Sequence, residues 1–347
     1  MHAHHYRQGE TMRCKKAFTA IVAGLIACVP SAASAQGKGE SVRFQDYPGS
    51  GNMLIRIAAS KGYCEKAGIK CQMQMIPSGP LGAQALLAKS IDVGFFPPEV
   101  QISAMTKGAA LKAIFSGATL NVFLIAIRPD LAAPNADKGY PAFMADLKGK
   151  KIGVPARGSG GELTFTFLLQ KAGMKPEDVT FVAVGAPNTS YGALISKQID
   201  ATVNFEPSGV LCDVLKTCKT IWRGSVSEQP AEIFATNGAS SNNVVRQEFI
   251  EQNPQVVKAI IKVAQEAEAF IQNPANFDEV VKIALAYFKF DMPNGEALMA
   301  ATLKQAIPAY KAGLSRKAAK SIADYLYTTK QIDSPFDSTR LIHPEAP

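Results

Sequence analysis

The apolar positions of this chain switch repeatedly between a period of two and a period of three to four, the marks of strand and helix. From residue 42 the reading is strand 42–47, helix 53–66, strand 71–76, helix 81–89, strand 92–96, helix 100–107, strand 111–117 and a long apolar strand 122–128. Pro and Gly clusters at 48–52, 77–80 and 97–98 mark the turns between them. A Pro-, Ala-, Asp- and Gly-rich segment over 129–142 reads as a crossing loop. The pattern then restarts with strand 150–154, a helix from Gly160, strand 179–184, helix 189–197, strand 199–204, helix 207–216 and a short strand 220–223. A second crossing is expected over 224–231. Mainly helices follow, at 244–252, 254–272, 277–288, 295–310 and 315–328, with Asn253-Pro254 suited to open the second of them.

This alternation predicts an α/β fold with mostly parallel, doubly wound sheets covered by helices on both faces. Two crossings predict two lobes, the first from 36–128 plus 232–347 and the second from 129–231. Ligands of open α/β sheets bind beyond the carboxyl ends of the strands. With two lobes those ends face each other across a cleft, and capture is a hinge closure.

The chain is organised around the stretch 150–173, a strand, a glycine-rich loop and a helix. Ser159 and Glu162 have the S-x-x-E spacing of a capping box, which starts the helix at Gly160. A helix start offers unpaired N–H groups and the positive end of a dipole, Gly160 lets a ligand approach, and Arg157 adds a full charge, so an anion is expected there. The glycine spacing is neither a Walker loop nor a dinucleotide fingerprint. An ordinary strand-to-helix turn is the plainer reading of the same residues.

Charge and composition narrow the class. The 347 residues carry a formal charge of +8, and residues 1–35 hold four basic and one acidic side chain, leaving the rest near +5. No Lys/Arg run occurs, so no nucleic-acid partner is expected. Arg13, Lys15 and Lys16, the apolar run 17–29 and Ala33-Ser34-Ala35 make residues 1–35 an export signal, with lipidation at Cys28 as the alternative. An exported chain meets an oxidising compartment, so Cys64 with Cys71 and Cys212 with Cys218 are candidate local disulfides, buried thiols being the alternative. The histidines are His2, His4, His5 and His343, all at the ends of the chain. That leaves no Ser-His-Asp arrangement and no His-based metal site. Neither an enzyme nor a cofactor or metal requirement is expected.

Four stretches resemble one family: the strand, Gly-rich turn and helix at 42–66; the run from Leu86 through Ser90-Ile91-Asp92-Val93-Gly94; the run from Leu194 through Ile199-Asp200-Ala201 to Asn204-Phe205-Glu206-Pro207; and Phe249 to Pro254 continuing to Asn273-Pro274. Together and in order they resemble the substrate-binding proteins of bacterial ABC importers, in the nitrate, sulfonate, taurine and thiamine-precursor branch. Ser90 and Gln198 depart from it, standing where the family usually has glycine. The resemblance implies a type II periplasmic-binding fold and a periplasmic, monomeric receptor that delivers a small molecule to inner-membrane permease subunits. The implied ligand is a small organic anion, sulfonate or carboxylate. A thiamine-precursor pyrimidine is the alternative, and a related pyrimidine-forming enzyme of the same fold is a further one.

By position the resemblance implies ligand contacts from Tyr47, Ser50, Asn52, Ser78, Phe96, Asn121, Arg157, Ser159, Gly160, Asn188, Asn204, Phe205 and Glu206. Arg157 with the Ser159 and Gly160 N–H groups would hold an anionic head. Ser50, Ser78 and Asn121 would add neutral hydrogen bonds, and Tyr47, Phe96 and Phe205 would flank a flat or apolar body. Glu206 would accept from an amine or protonated ring, or pair with an arginine.

Overall fold

The computed structural model describes residues 37–347. The expected export signal at 1–35 and its Cys28 alternative lie outside the described residues. Ten strands follow in chain order: β1 (Glu40–Asp46), β2 (Ile69–Met75), β3 (Gly94–Phe96), β4 (Leu111–Ala118), β5 (Leu124–Ile127), β6 (Lys151–Val154), β7 (Thr180–Ala183), β8 (Ala201–Asn204), β9 (Lys219–Arg223) and β10 (Ser241–Arg246). β1 and β2 pair in parallel, and Phe44 of β1 bridges to Val93 just before β3. β10 lies antiparallel between β3 and β4. The remaining strands form one five-stranded sheet in the order β7-β6-β8-β5-β9, in which β6 runs parallel to β7 and β8 and antiparallel β5 links β8 to β9.

Two expectations are corrected here. The apolar strand over 122–128 was read as the last strand of the first half, but β5 hydrogen-bonds between β8 and β9 of the second half. The chain therefore crosses at 119–123, not at 129–142, and returns over 224–240. Residues 129–150 instead cover the five-stranded sheet, with Phe143, Met144 and Leu147 of the 3-10 turn Ala142–Leu147 in the core. The start of the helix read over 244–252 is strand β10, with the helix confined to Gln247–Gln252. Asn242 and Asn243 hide the strand signal, because asparagine is a poor strand former and β10 is held by partners on both edges.

Local chemistry accounts for the helices that position the site. Ser159 caps the helix Gly160–Lys171 by accepting from the Glu162 N–H at 3.4 Å. Ser78 caps Gly79–Leu87 by accepting from Leu81 in the same way. The helix Pro254–Ile271 opens at Pro254 as expected, but Asn253 turns its amide back to the Phe249 carbonyl instead of capping. Its apolar face, with Val256, Ile260, Val263 and Ala267, packs into a core shared with Met53, Leu54, Ile57 and Ala58 of the helix Met53–Ser60. Both cysteine pairs, Cys64–Cys71 and Cys212–Cys218, are disulfides. Among the described residues no helix is long and apolar enough to cross a membrane.

Candidate ligand-binding site

A cavity of about 100 Å³ opens between the five-stranded sheet and the other two, where strand ends and helix starts converge. Its first contribution is the turn after β1. Asp46, the last residue of that strand, accepts the N–H groups of Tyr47 (2.8 Å) and Asn52 (2.9 Å) on one oxygen and pairs with Arg56 Nε (2.8 Å) on the other. Arg56, fully buried, spends its remaining nitrogens on the Gly49 and Tyr47 carbonyls at 2.8 and 2.6 Å. Gly51 is required there, since its φ is +45° and a Cβ would fall 2.2 Å from the guanidinium. The turn thus holds Tyr47 and Ser50 against the cavity.

Ser78 and Gly79, at the start of the next helix, line the cavity beside them. Gln45 fixes this corner, donating to the Ile76 and Ser78 carbonyls at 3.2 and 3.0 Å and accepting from the Phe95 N–H at 2.9 Å. Asn121 lies in the first crossing. Its N–H donates to Asn237 and its side-chain oxygen accepts from Phe123 at 3.0 Å, while Nδ2 has no protein partner among the described residues. Ser159 and Gly160 line the cavity from the second half, and Phe205 and Glu206 do so from the end of β8.

Glu206 is partly buried. Its carboxylate accepts from Arg223 Nε at 3.2 Å and from the Val210 N–H at 2.9 Å. Burial pushes its pKa up, and the Arg223 charge opposes that rise only in part. Arg223 also reaches Asp213 at 2.6 Å. The two halves touch directly at the cavity. Tyr47 stands edge-on to Phe205, Ser50 Oγ lies 3.5 Å from the Glu206 carbonyl, and a Cβ on Gly160 would come within 2.7 Å of Pro97 Cγ.

Of the expected contacts, Tyr47, Ser50, Ser78, Asn121, Ser159, Gly160, Phe205 and Glu206 line this cavity, and five do not. Arg157 points outward, its side chain 64% exposed, paired with Glu162 at 2.9 Å and stacked over Phe181. The expected capping box is half formed: Glu162 accepts from the Gly158 N–H and not from that of Ser159, which donates to the Ala156 carbonyl, so the carboxylate gathers the loop beside Arg157. Its hydrogen bonds to Arg157, and then its charge, hold the guanidinium above its ordinary pKa. Phe96 is core, and its neighbour Phe95 faces the cavity, because successive strand residues point to opposite faces. Asn52 is buried and donates to Asn243 at 2.8 Å, tying the turn to β10. Asn204 is buried too, donating to the Gly185 carbonyl and accepting from Phe205. Asn188 lies exposed on the first turn of the helix Pro187–Ile195.

Several lining residues were not anticipated: Phe123, Arg223, Ser225, Ser241, Gln305 and Tyr310. Arg223 ends an expected strand and was open to the strand-end rule. Tyr310 had no such signal; it reaches the Ser50 carbonyl at 3.2 Å from 260 residues away, and burial pushes its phenol up to about 12.

The cavity thus lies between the two groups of sheets, lined by strand ends and helix starts from both, and comparison with known proteins gives the family and the fold. Residues 52–276 match the family model described as "NMT1/THI5 like". A Brucella abortus (strain 2308) protein whose name calls it a candidate binding protein is 31% identical over 299 residues, 83% of this chain and 85% of that one. The chain belongs to the NMT1/THI5-like family. The fold is the periplasmic-binding fold. It is shared with a Bordetella bronchiseptica RB50 protein (TM-score 0.73, 24% identity, 88% of this chain and 95% of that one). It is shared also with the alkanesulfonate-binding protein SsuA of Xanthomonas axonopodis pv. citri, whose structure was solved bound to MOPS (TM-score 0.70, 18% identity, 89% and 99%).

Proposed function

We propose that this protein is the solute receptor of an ABC importer, not an enzyme. It is exported by its N-terminal 35 residues, captures a small organic anion of sulfonate or carboxylate type, and delivers it to membrane permease subunits as a monomer. In this reading the lobes are the two sheet groups, and they close about the crossings at 119–123 and 224–240. The corrected boundary puts β5 with the second lobe.

The observation that carries the reading is the set of hydrogen-bond donors that converge on the cavity. The N–H groups at the starts of two helices, at Gly79 and Gly160, have no intrahelical partner and sit at positive dipole ends. The free Asn121 Nδ2 adds a donor. An occupant that accepts is matched there. The role of the fold neighbour that binds alkanesulfonates supports the same class. The pyrimidine alternative rests on Glu206, a partly buried carboxylate lining the cavity that can accept from a ring amine.

The test is a thermal-shift and calorimetric titration of protein purified from cells expressing the full chain, against sulfonates, carboxylates, nitrate and aminopyrimidines. A ligand present at a hundred times its Kd raises stability by about 2.7 kcal/mol, a shift of several degrees. Asn121→Ala is expected to weaken a bound anion by about 1.5–3 kcal/mol, the range for a hydrogen bond to a charged group. Anion binding that Asn121→Ala leaves unchanged would remove the cavity as the site, and response to pyrimidines alone would move the assignment to the second reading.

A further inference from the structure

The donors of the cavity call for an acceptor, and its walls and charges say what carries that acceptor, on the reading above that the cavity is the binding site. Three aromatic rings form one wall. Tyr47 stands edge-on to Phe95, with centroids 5.8 Å apart at 76°, and to Phe205, at 5.6 Å and 86°. A further ring gains interaction from such a wall beyond its burial, which a saturated chain does not. Phe123, at the end of the first crossing, has its ring so close to the start of the helix Gly160–Lys171 that a Cβ on Gly160 would fall 2.9 Å from Cζ. An acid group at that helix start therefore has an aromatic neighbour as well as N–H donors.

The charges are equally selective. Among the described residues Arg223 is the one cation lining the cavity, and it is already held between Glu206 at 3.2 Å and Asp213 at 2.6 Å. One anionic group finds the helix starts. A second finds no cation without a carboxylate on it. An ammonium finds only Glu206, whose oxygens already accept from Arg223 and Val210.

We propose that the solute is an aromatic monoanion, of the benzoate or benzenesulfonate class, with its ring against Tyr47, Phe95 and Phe205 and its single acid group at the starts of the helices Gly79–Leu87 and Gly160–Lys171. Dianions and zwitterions are rejected for want of partners.

The deciding experiment is a calorimetric titration of protein purified from cells expressing the full chain, dialysed free of small molecules, against benzoate, benzenesulfonate, butyrate, ethanesulfonate, phthalate and taurine. The expected result is that benzoate or benzenesulfonate binds about tenfold or more tightly than butyrate or ethanesulfonate, the sum of two favourable ring contacts, with phthalate and taurine weaker still. Phe205→Leu is expected to reduce the ratio of ring to chain affinity by about fivefold. If the variant does not fold, the panel on the wild type carries the test by itself. Butyrate, ethanesulfonate or taurine binding as tightly as the ring anions overturns the aromatic inference and leaves the receptor reading standing. Phthalate binding as tightly as benzoate overturns the single-charge part. Binding of none of the six overturns the anion-receptor reading itself.

Discussion

The turn at Tyr47–Asn52 and the loop at Arg157–Gly161 look alike in the sequence. Each follows a strand, contains glycines, precedes a helix and has an arginine close by. The structure treats them oppositely. Arg56 is fully buried and holds the backbone of its turn through Asp46, Gly49 and Tyr47, so that the turn presents Tyr47 and Ser50 to the cavity. Arg157 is mostly exposed and spends its guanidinium on Glu162, while the backbone at Ser159 and Gly160 faces the cavity. The difference lies in where the partner carboxylate sits. Asp46 ends a buried strand and draws its arginine inward, and Glu162, on the first turn of a helix, draws its arginine out. A positive residue in a glycine-rich turn is thus evidence about the carboxylate beside it before it is evidence about a ligand.

The comparison is broken most sharply at Arg56. Arg56→Met leaves Asp46 charged and buried without its partner, which is expected to cost about 3–5 kcal/mol. Urea denaturation measures this, and a loss under 1 kcal/mol would mean that the turn does not depend on the pair.

Glu99 sharpens the contrast, because it is a buried carboxyl with a tyrosine in place of an arginine. Tyr325 donates to one of its oxygens, and the other has no partner among the buried side-chain atoms described. Burial raises its pKa to about 7 from an ordinary 4.5. The folded state therefore holds a proton that the unfolded state has released between those values. Its contribution is fully present below pH 4.5, is lost as pH rises to about 7 and is constant above, a fall of about 3 kcal/mol at most. Denaturation curves at pH 5 and 7.5 check this against Glu99→Gln, whose stability is expected to lack that fall. A wild type whose stability is flat over the same interval would contradict the assignment.

The smallest effect is expected at Arg157. Arg157→Ala removes a half-solvated ion pair, worth no more than about 1 kcal/mol, and leaves ligand affinity within twofold. A tenfold loss of affinity would return the loop's arginine to the site.

Much of this was legible locally. The helix start at Gly160 followed from Ser159 and Glu162, because a cap is a contact between residues three apart. The turns that line the cavity were visible from their Gly and Pro residues and from the rule that strand ends carry ligands, so eight of the expected contacts reach it. Phe96 was misread by a single step of register, where a wrong choice by one residue exchanges core for cavity.

The alternation of strands and helices over residues 40–223, the cap at Ser159 and the spacing that lets the cysteines pair were legible in the sequence alone, since each depends on neighbours within a few residues along the chain. Only the tertiary structure decided that β5 joins the second sheet, that Asn242 and Asn243 lie in a strand, that Arg157 turns away and that Tyr310 closes the cavity from 260 residues beyond Ser50. Sheet membership and the choice of a charged partner are set by hydrogen bonds and carboxylates brought near by the fold, and a periodic pattern carries no information about which distant edge or charge will be there.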